Sequence, residues 1–391
     1  MKQKSPSNTL LNSLHDRFLL RFGMVAKGYV SVPGRLKLLG YDLHPHLPNL
    51  GMTTDACLYG LFTPLEEPMF QILMPGYALI TLDPRRLEIL PNEYNTPIST
   101  LKIVLQMTLA SGFPYQKGIK LFVHSDFPSF GNFAYSTSLI IALLSAVIPS
   151  FLTLPMATKV ALVHQIEKRI PNYRFQPHDA MMILQPGFHH GYWIDGEPTT
   201  RLLPSSLLKT QFFYTFNFPK KTTLEPWEWA LPNLLHDFFV QENITDYATI
   251  DSLWVANHHQ RLMDTYGKKT VDGLFFMLDE QKRIIQAIIR YEQEDWQTFS
   301  NGLIEQEQQR LPLLVDSPST LTVLEKRKKH FRGLTPDGYW IRSSLNEEDT
   351  YVGWHPKEAY GKVKKIMYRY FPHMNITFFG LYDKKLKIVK T

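Results

Sequence analysis

The hydrophobic pattern of the first half alternates short period-2 runs with helical spacing. Gly28 to Val32 (GYVSV) alternates and reads as a strand that stops at Pro33-Gly34. Met69 to Met74 and Tyr77 to Leu82 read as a hairpin about Pro75-Gly76. Helical spacing covers Ser99 to Ala110, Tyr135 to Val147, Ala157 to Arg169 and Pro177 to Leu184, with strands at Ile119 to His124 and Gly191 to Asp195.

The second half is mostly helical. Glu225 to Val240 and Tyr247 to Tyr266 carry helical spacing. Val271 to Arg290 sets Leu274, Met277, Leu278, Ile284, Ile285, Ile288 and Ile289 on one stripe. A polar helix is predicted over Glu294 to Arg310. The chain closes with a strand at Tyr351 to Trp354, a helix at Lys357 to Tyr370, and a hairpin of Asn375 to Tyr382 with Leu386 to Val389. Strands early and late with helices between them predict an α+β fold. There is no internal repeat. A soft boundary near Leu202 to Thr210 divides the chain into 1–203 and 204–391.

Composition narrows the class. In 391 residues, 44% hydrophobic and 13% aromatic positions can bury sizeable cores and exclude a disordered chain. The one cysteine, Cys57, excludes a disulfide framework and a Cys-based zinc site. The net charge of +6 suits a solvated surface and does not call for a polyanionic partner. The longest apolar run, Leu139 to Ile148, is about half of the ~20 residues that a membrane span needs. No leader is visible, so the expectation is a soluble, cytoplasmic protein without nucleic-acid or membrane partners. The 21 glycines fall below the average usage of about 7%, which leaves few for phosphate-cradling loops.

Some residues could carry chemistry. Arg35, placed at a strand end, is either a turn-surface arginine or a ligand contact. Asp179 follows Pro177, where a carboxylate meets a helix dipole. With Glu167 it forms either a pair of ordinary helix-end residues or a pair of working carboxylates, one for a metal and one for an acceptor proton. Ser136, Thr137 and Ser138 stand at a helix start, as N-caps or as an anion site. The pairs His44/His46, His189/His190 and His258/His259 lack zinc-site spacing. The basic run Lys326 to Arg332 reads as a solvated segment.

Taken in order, these segments resemble galactokinase, of the GHMP small-molecule kinases. His15 to Gly23 (HDRFLLRFG) looks like the family's opening helix. Val32 to Gly40 (VPGRLKLLG) is similar to Ala-Pro-Gly-Arg-Val-Asn-Leu-Ile-Gly. Gln165-Ile166-Glu167 precedes Asp179 at the family's spacing, and Tyr192 to Asp195 resembles the strand after it. Val315-Asp316-Ser317-Pro318 is similar to a later segment of the family.

The resemblance implies a two-domain fold with the active-site cleft between the domains, often monomeric. It implies ATP-dependent phosphate transfer, with Mg²⁺, to a sugar or small-metabolite hydroxyl. By it Asp179 is the catalytic aspartate and Arg35 steadies charge on the transferring group. Glu167 and Ser136 hold Mg²⁺, while Gly131, Asn132, Ser136 and Ser138 hold the nucleotide. Tyr41, Asp42 and His44 stand at the acceptor.

Each family motif is altered. The sugar-clamping Glu-His-Thr-Asp is Tyr41-Asp42-Leu43-His44, and Pro-Leu-Gly-Ala-Gly-Leu-Ser-Ser-Ser is Pro128 to Ser136 (PSFGNFAYS). The later glycine loop, Pro336 to Asp349, keeps one glycine and ends in Glu347-Glu348-Asp349. An active kinase requires a cavity bounded by Asn132, Ser136 and Asp179 and clear of Phe130 and Tyr135. The alternatives are a catalytically silent relative that binds a small ligand or protein partner, or rebuilt chemistry on the same fold.

Overall fold

The protein is described here by a computed structural model, covering residues 8–40, 48–94, 96–127, 133–170, 177–194, 197–218, 230–244, 250–314, 329, 338–342, 349–374, 376–384, 386 and 388–390. Eight strands form the first sheet: β1 (Gly28–Leu39), β2 (Asn49–Leu65), β3 (Phe70–Leu73), β4 (Ile80–Leu82), β5 (Gly118–Ser125), β6 (Phe188–Ile194), β7 (Glu197–Leu203) and β12 (Ile388–Lys390). Their order is β12-β1-β2-β5-β3-β4, with β6 on the first residues of β2 and β7 on β6. β8 (Gln211–Phe218), β9 (Tyr339–Arg342), β10 (Asp349–Pro356) and β11 (Ile376–Phe379) form a second, antiparallel sheet in the order β11-β8-β10-β9.

α1 (Asn8–Phe22) covers one face of the first sheet, where Leu14, Phe18 and Phe22 meet Cys57, Tyr59 and Leu61. The other face carries α2 (Pro97–Ala110), α3 (Tyr135–Val147), α4 (Met156–Glu167) and α5 (Pro177–Leu184). α3 is buried at every position from Thr137 to Val147, as expected of a helix that is apolar all round. α2 starts where Thr96 accepts the Ile98 N–H at 3.2 Å and Pro97 presets the first turn. A one-turn helix, α6 (Ser206–Lys209), leads into the second sheet.

α7 (Ala230–Gln241), α8 (Ser252–Asn257) and α9 (His259–Glu292) share a core of their own through Leu235, Phe238, Val255 and Leu274. α9 breaks at Gly267, whose φ of 79° no L residue adopts readily, so the two helices predicted on either side of it are distinct. α10 (Trp296–Leu314) lies against α9, and α11 (Tyr360–Tyr370) covers the aromatic face of the second sheet formed by Phe212, Tyr214 and Phe216. Among the described residues no helix is long and apolar enough to cross a membrane.

Three readings of the sequence are corrected. β1 does not stop at Pro33-Gly34 but continues to Leu39; the dipeptide is a bulge, where pairing jumps from Pro33↔Cys57 to Arg35↔Thr53. Arg35 therefore lies inside a strand, not at its end. The final hairpin does not form: β11 pairs with β8, whereas β12 crosses to the free edge of β1. Both segments are strand-like, and the unpaired edges of two different sheets decide their partners. Within Pro336 to Asp349, read as a loop, Tyr339–Arg342 is a strand on β10. The basic run lies outside the described residues except for Lys329.

Among the described residues the first sheet is built from strands up to Leu203 together with β12, and the second from strands that begin at Gln211. Phe213, Trp354 and Phe379 share a core with Phe133 and Phe188, so apolar packing is continuous from one to the other.

Candidate functional site

The site forms where the bulge of β1 meets α3 and α5. Thr54 braces the bulge, donating through Oγ1 to the carbonyls of Gly34 at 3.3 Å and Ala56 at 3.0 Å. Beyond it the Arg35 side chain faces α5. Gly51 makes room for the arginine stem: a Cβ there would lie 2.8 Å from Met182 Sδ and 3.3 Å from Arg35 Cδ. The Arg35 amide donates to the Phe133 carbonyl at 2.9 Å, which joins the bulge to the entry of α3.

Asp179 occupies the first turn of α5, opened by Pro177. His164 of α4 donates to the Pro177 carbonyl at 2.8 Å and fixes that helix end. Arg35 and Asp179 form an ion pair at 2% and 4% exposure, in which each charge compensates the other away from water. Glu167, the last residue of α4, accepts the Thr137 hydroxyl at 2.5 Å from the first turn of α3. Two buried pairs are thus formed, Arg35–Asp179 between β1 and α5 and Thr137–Glu167 between α3 and α4, and the Arg35 amide ties the first to the residues that lead into α3.

A second layer lies on the far side of Arg35. Lys37, two residues along β1 and therefore on the same face, is also buried. His178 accepts the Asn49 Nδ2–H at Nδ1, at 2.9 Å, and donates from Nε2 to the Tyr192 carbonyl at 2.9 Å. Burial, with Lys37 nearby, pushes the His178 ring from 6.5 down to about 4, so it is neutral.

The candidates read from the sequence are distributed as follows. Arg35 and Asp179 pair with each other, and Glu167 pairs with Thr137 of α3. Ser136 is half-buried in the first turn of α3, whereas Ser138 is fully buried and donates to the Pro33 carbonyl at 3.0 Å. Tyr41, Asp42, His44, Phe130, Gly131 and Asn132 lie outside the described residues. Tyr135 sets its ring edge-on to Phe127, with centroids 6.1 Å apart. Phe133 is buried between Phe127 and Phe379.

Ala134, before α3, holds the left-handed conformation at φ 52°, a backbone shape that costs an alanine about 1–2 kcal/mol. His189 donates to the Gln185 carbonyl at 2.5 Å and His258 stacks on Trp254, both in structural roles. Among the described residues no group of three or more His, Cys, Asp or Glu side chains is placed to hold a metal ion.

Sequence reasoning did not single out Lys37, Asn49 or His178. The period-2 relation of Lys37 to Arg35 was the one available signal, once β1 is known to continue past Gly34.

Comparison with known proteins settles the architecture. No family model and no curated protein matches the chain. Solved structures do. Lactococcus lactis galactokinase complexed with galactose superimposes with a TM-score of 0.74 at 14% identity, over 97% of this chain and 99% of that one. Methanococcus jannaschii mevalonate kinase follows with 0.63 at 14% identity, over 90% and 98%. The chain has the galactokinase-like fold of the GHMP kinases. That fold is not tied to one reaction. Mevalonate diphosphate decarboxylase from Staphylococcus aureus also matches, with a TM-score of 0.57 at 10% identity, over 94% of this chain and 99% of that chain. The reaction must therefore be argued from the site.

Proposed function

We propose that the protein transfers a phosphoryl group from ATP to the hydroxyl of a sugar or small metabolite. The observation that carries this reading is the buried Arg35–Asp179 pair on a strand whose Arg35 amide is joined to the entry of α3, the helix whose first turn holds Glu167 through Thr137. Phosphoryl transfer asks a protein mainly for positioning and charge stabilisation, and these residue types supply both.

The donor set fits Mg²⁺ and a nucleotide. The oxygens of Glu167 and Ser136 are hard ligands of the kind Mg²⁺ takes alongside substrate phosphates. The first amides of α3 and the Ser136 hydroxyl present an anion-binding end, and by resemblance Gly131 and Asn132 extend it. Bound ATP would supply the transferred group.

The chain's own residues do the rest. Asp179 accepts the proton of the acceptor hydroxyl as its oxygen becomes the nucleophile, a role that contributes typically 10²–10⁴-fold. Arg35 neutralises and orients that carboxylate and steadies negative charge as it develops. Gly51 and the bulge at Gly34 position Arg35, while His164 and Pro177 position Asp179. Tyr41, Asp42 and His44 would meet the acceptor.

The second reading, a catalytically silent binder, has one observation in its favour. Arg35 closes on Asp179, Thr137 on Glu167 and Ser138 on Pro33, so each of these side chains has a partner within the chain. Calorimetric titration with Mg-ATP separates the two. Saturable binding is expected, with a stability gain of about 2.7 kcal/mol at 100 Kd. Absence of any binding at millimolar nucleotide would overturn the kinase reading.

A further inference from the structure

A separate cavity of about 440 Å³ opens at the seam between the two sheets, lined on one side by Asp55 and Asp126 and on the other by Tyr360, Lys364, Tyr368 and Phe378. None of Arg35, Thr137, Glu167 or Asp179 lines it. The Asp55 side chain reaches the residue that follows β11, Gly380, whereas Arg35 reaches α5.

The acidic wall is rigidly held. Asp55 Oδ1 accepts the Gly380 amide at 2.6 Å, and the Asp55 amide donates to the Gly380 carbonyl at 3.0 Å. Asp126 extends the β5–β2 pairing, its amide donating to the Cys57 carbonyl at 2.9 Å, and His124 Nε2 lies 3.6 Å from Oδ1. Among the described residues no lysine or arginine comes within 4 Å of either carboxylate. Asp55 remains exposed to solvent, yet partial loss of hydration and, to a smaller extent, the charge of Asp126 raise its proton affinity against the opposing Gly380 amide and Lys357, which lies beyond ion-pair distance. These are signs of negative charge awaiting a counter-charge.

The opposite wall supplies a cation of its own. Tyr360, Lys364 and Tyr368 follow one another at i, i+4 and i+8 and share one face of α11. The Lys364 ammonium sits 5.5 Å and 5.9 Å from the centres of the two tyrosine rings instead of reaching a carboxylate. Carboxylates on one wall and an aromatic-held ammonium on the other give the cavity a fixed polarity across its width.

We propose that this cavity binds a small zwitterion, with a primary ammonium on Asp55 and Asp126 and a carboxylate or phosphate on Lys364. A ligand carrying both charges satisfies both walls, whereas a simple amine or a simple acid satisfies one and leaves the other facing it uncompensated. The phenol edges of Tyr360 and Tyr368 and the ring of Phe378 cover the ligand's carbon skeleton. The proposal is independent of phosphotransfer.

The test is calorimetric titration of the full chain with 4-aminobutyrate, and with butylammonium and butyrate as single-charge probes. Saturable binding of 4-aminobutyrate is expected, stronger than that of either control. Asp55→Asn, which keeps the acceptor for Gly380, is expected to weaken it about tenfold. Lys364→Gln, on the half-buried face of α11, does the same without touching the acidic wall, and it carries the test if Asp55→Asn fails to fold. Failure of 4-aminobutyrate to bind at 10 mM would overturn the proposal. So would equal binding of butylammonium, or an affinity indifferent to both cavity substitutions.

Discussion

Replacing Arg35 with methionine is expected to lower the stability of the fold by about 3–5 kcal/mol. The guanidinium and the Asp179 carboxylate are both almost wholly removed from water, at 2% and 4% exposure, and each is the other's counter-charge. Removing one leaves the other buried without compensation, and that penalty exceeds the net worth of the pair itself. Arg35→Met with Asp179→Leu removes both charges and is expected to recover most of the loss. Urea denaturation of the two single variants and the double variant measures the coupling, which should exceed about 2 kcal/mol. A coupling below about 0.5 kcal/mol would mean that the two groups do not act as a pair.

Acid is expected to unfold the protein well above the pH at which carboxylates protonate. His178 and His189 are buried, with their ring values pushed from 6.5 to about 4 chiefly by desolvation. The unfolded rings bind protons below about pH 6.5 and the folded ones do not, so stability falls as pH drops through that window toward 4. Between pH 7 and pH 5 each ring accounts for about 2 kcal/mol, against a typical total of 5–15 kcal/mol. His164 and His190 shift in the same direction and add to the effect. Urea midpoints at pH 7 and pH 5 check this, and His178→Gln should flatten the pH dependence by about one ring's share. Equal midpoints at the two pH values would show that the rings accept protons in the folded state.

Much of the fold was legible. α3 and α5 occupy the spans read from spacing alone, because Pro177 opens α5 and the apolar content marks both interiors. β2 left no period-2 signature. Its seventeen residues are buried on both faces for most of their length, and Gly51, Gly60 and Cys57 interrupt the alternation. Pro33-Gly34 resembled a stop because a bulge and a turn use the same residues, and only the partner strand distinguishes them. The separate fates of β11 and β12 were invisible for a related reason: pairing depends on which sheet edge is open, a non-local fact.

Of the charged residues singled out in the sequence, Arg35 and Asp179 pair with each other in the folded chain, and Glu167 pairs with Thr137 of α3. Other residues of the site were not legible. Asn49 and His178 lie far apart in sequence and meet only through the β2–β6 pairing and the start of α5. Gly51 reads as one more small residue until the Arg35 stem is seen to cross it.

The central claim is that Asp179 takes a proton from an acceptor hydroxyl during phosphoryl transfer. The most direct measurement is ADP release from Mg-ATP across a panel of sugars and small hydroxylated metabolites, for the unaltered chain and for Asp179→Asn, with Mg-ATP affinity and thermal stability measured on both. Acceptor-dependent ADP release is expected, falling by about 10²–10⁴-fold in Asp179→Asn while Mg-ATP binding persists. Acceptor-dependent release that is unchanged in Asp179→Asn, or no release with any acceptor from a chain that binds Mg-ATP, would contradict it.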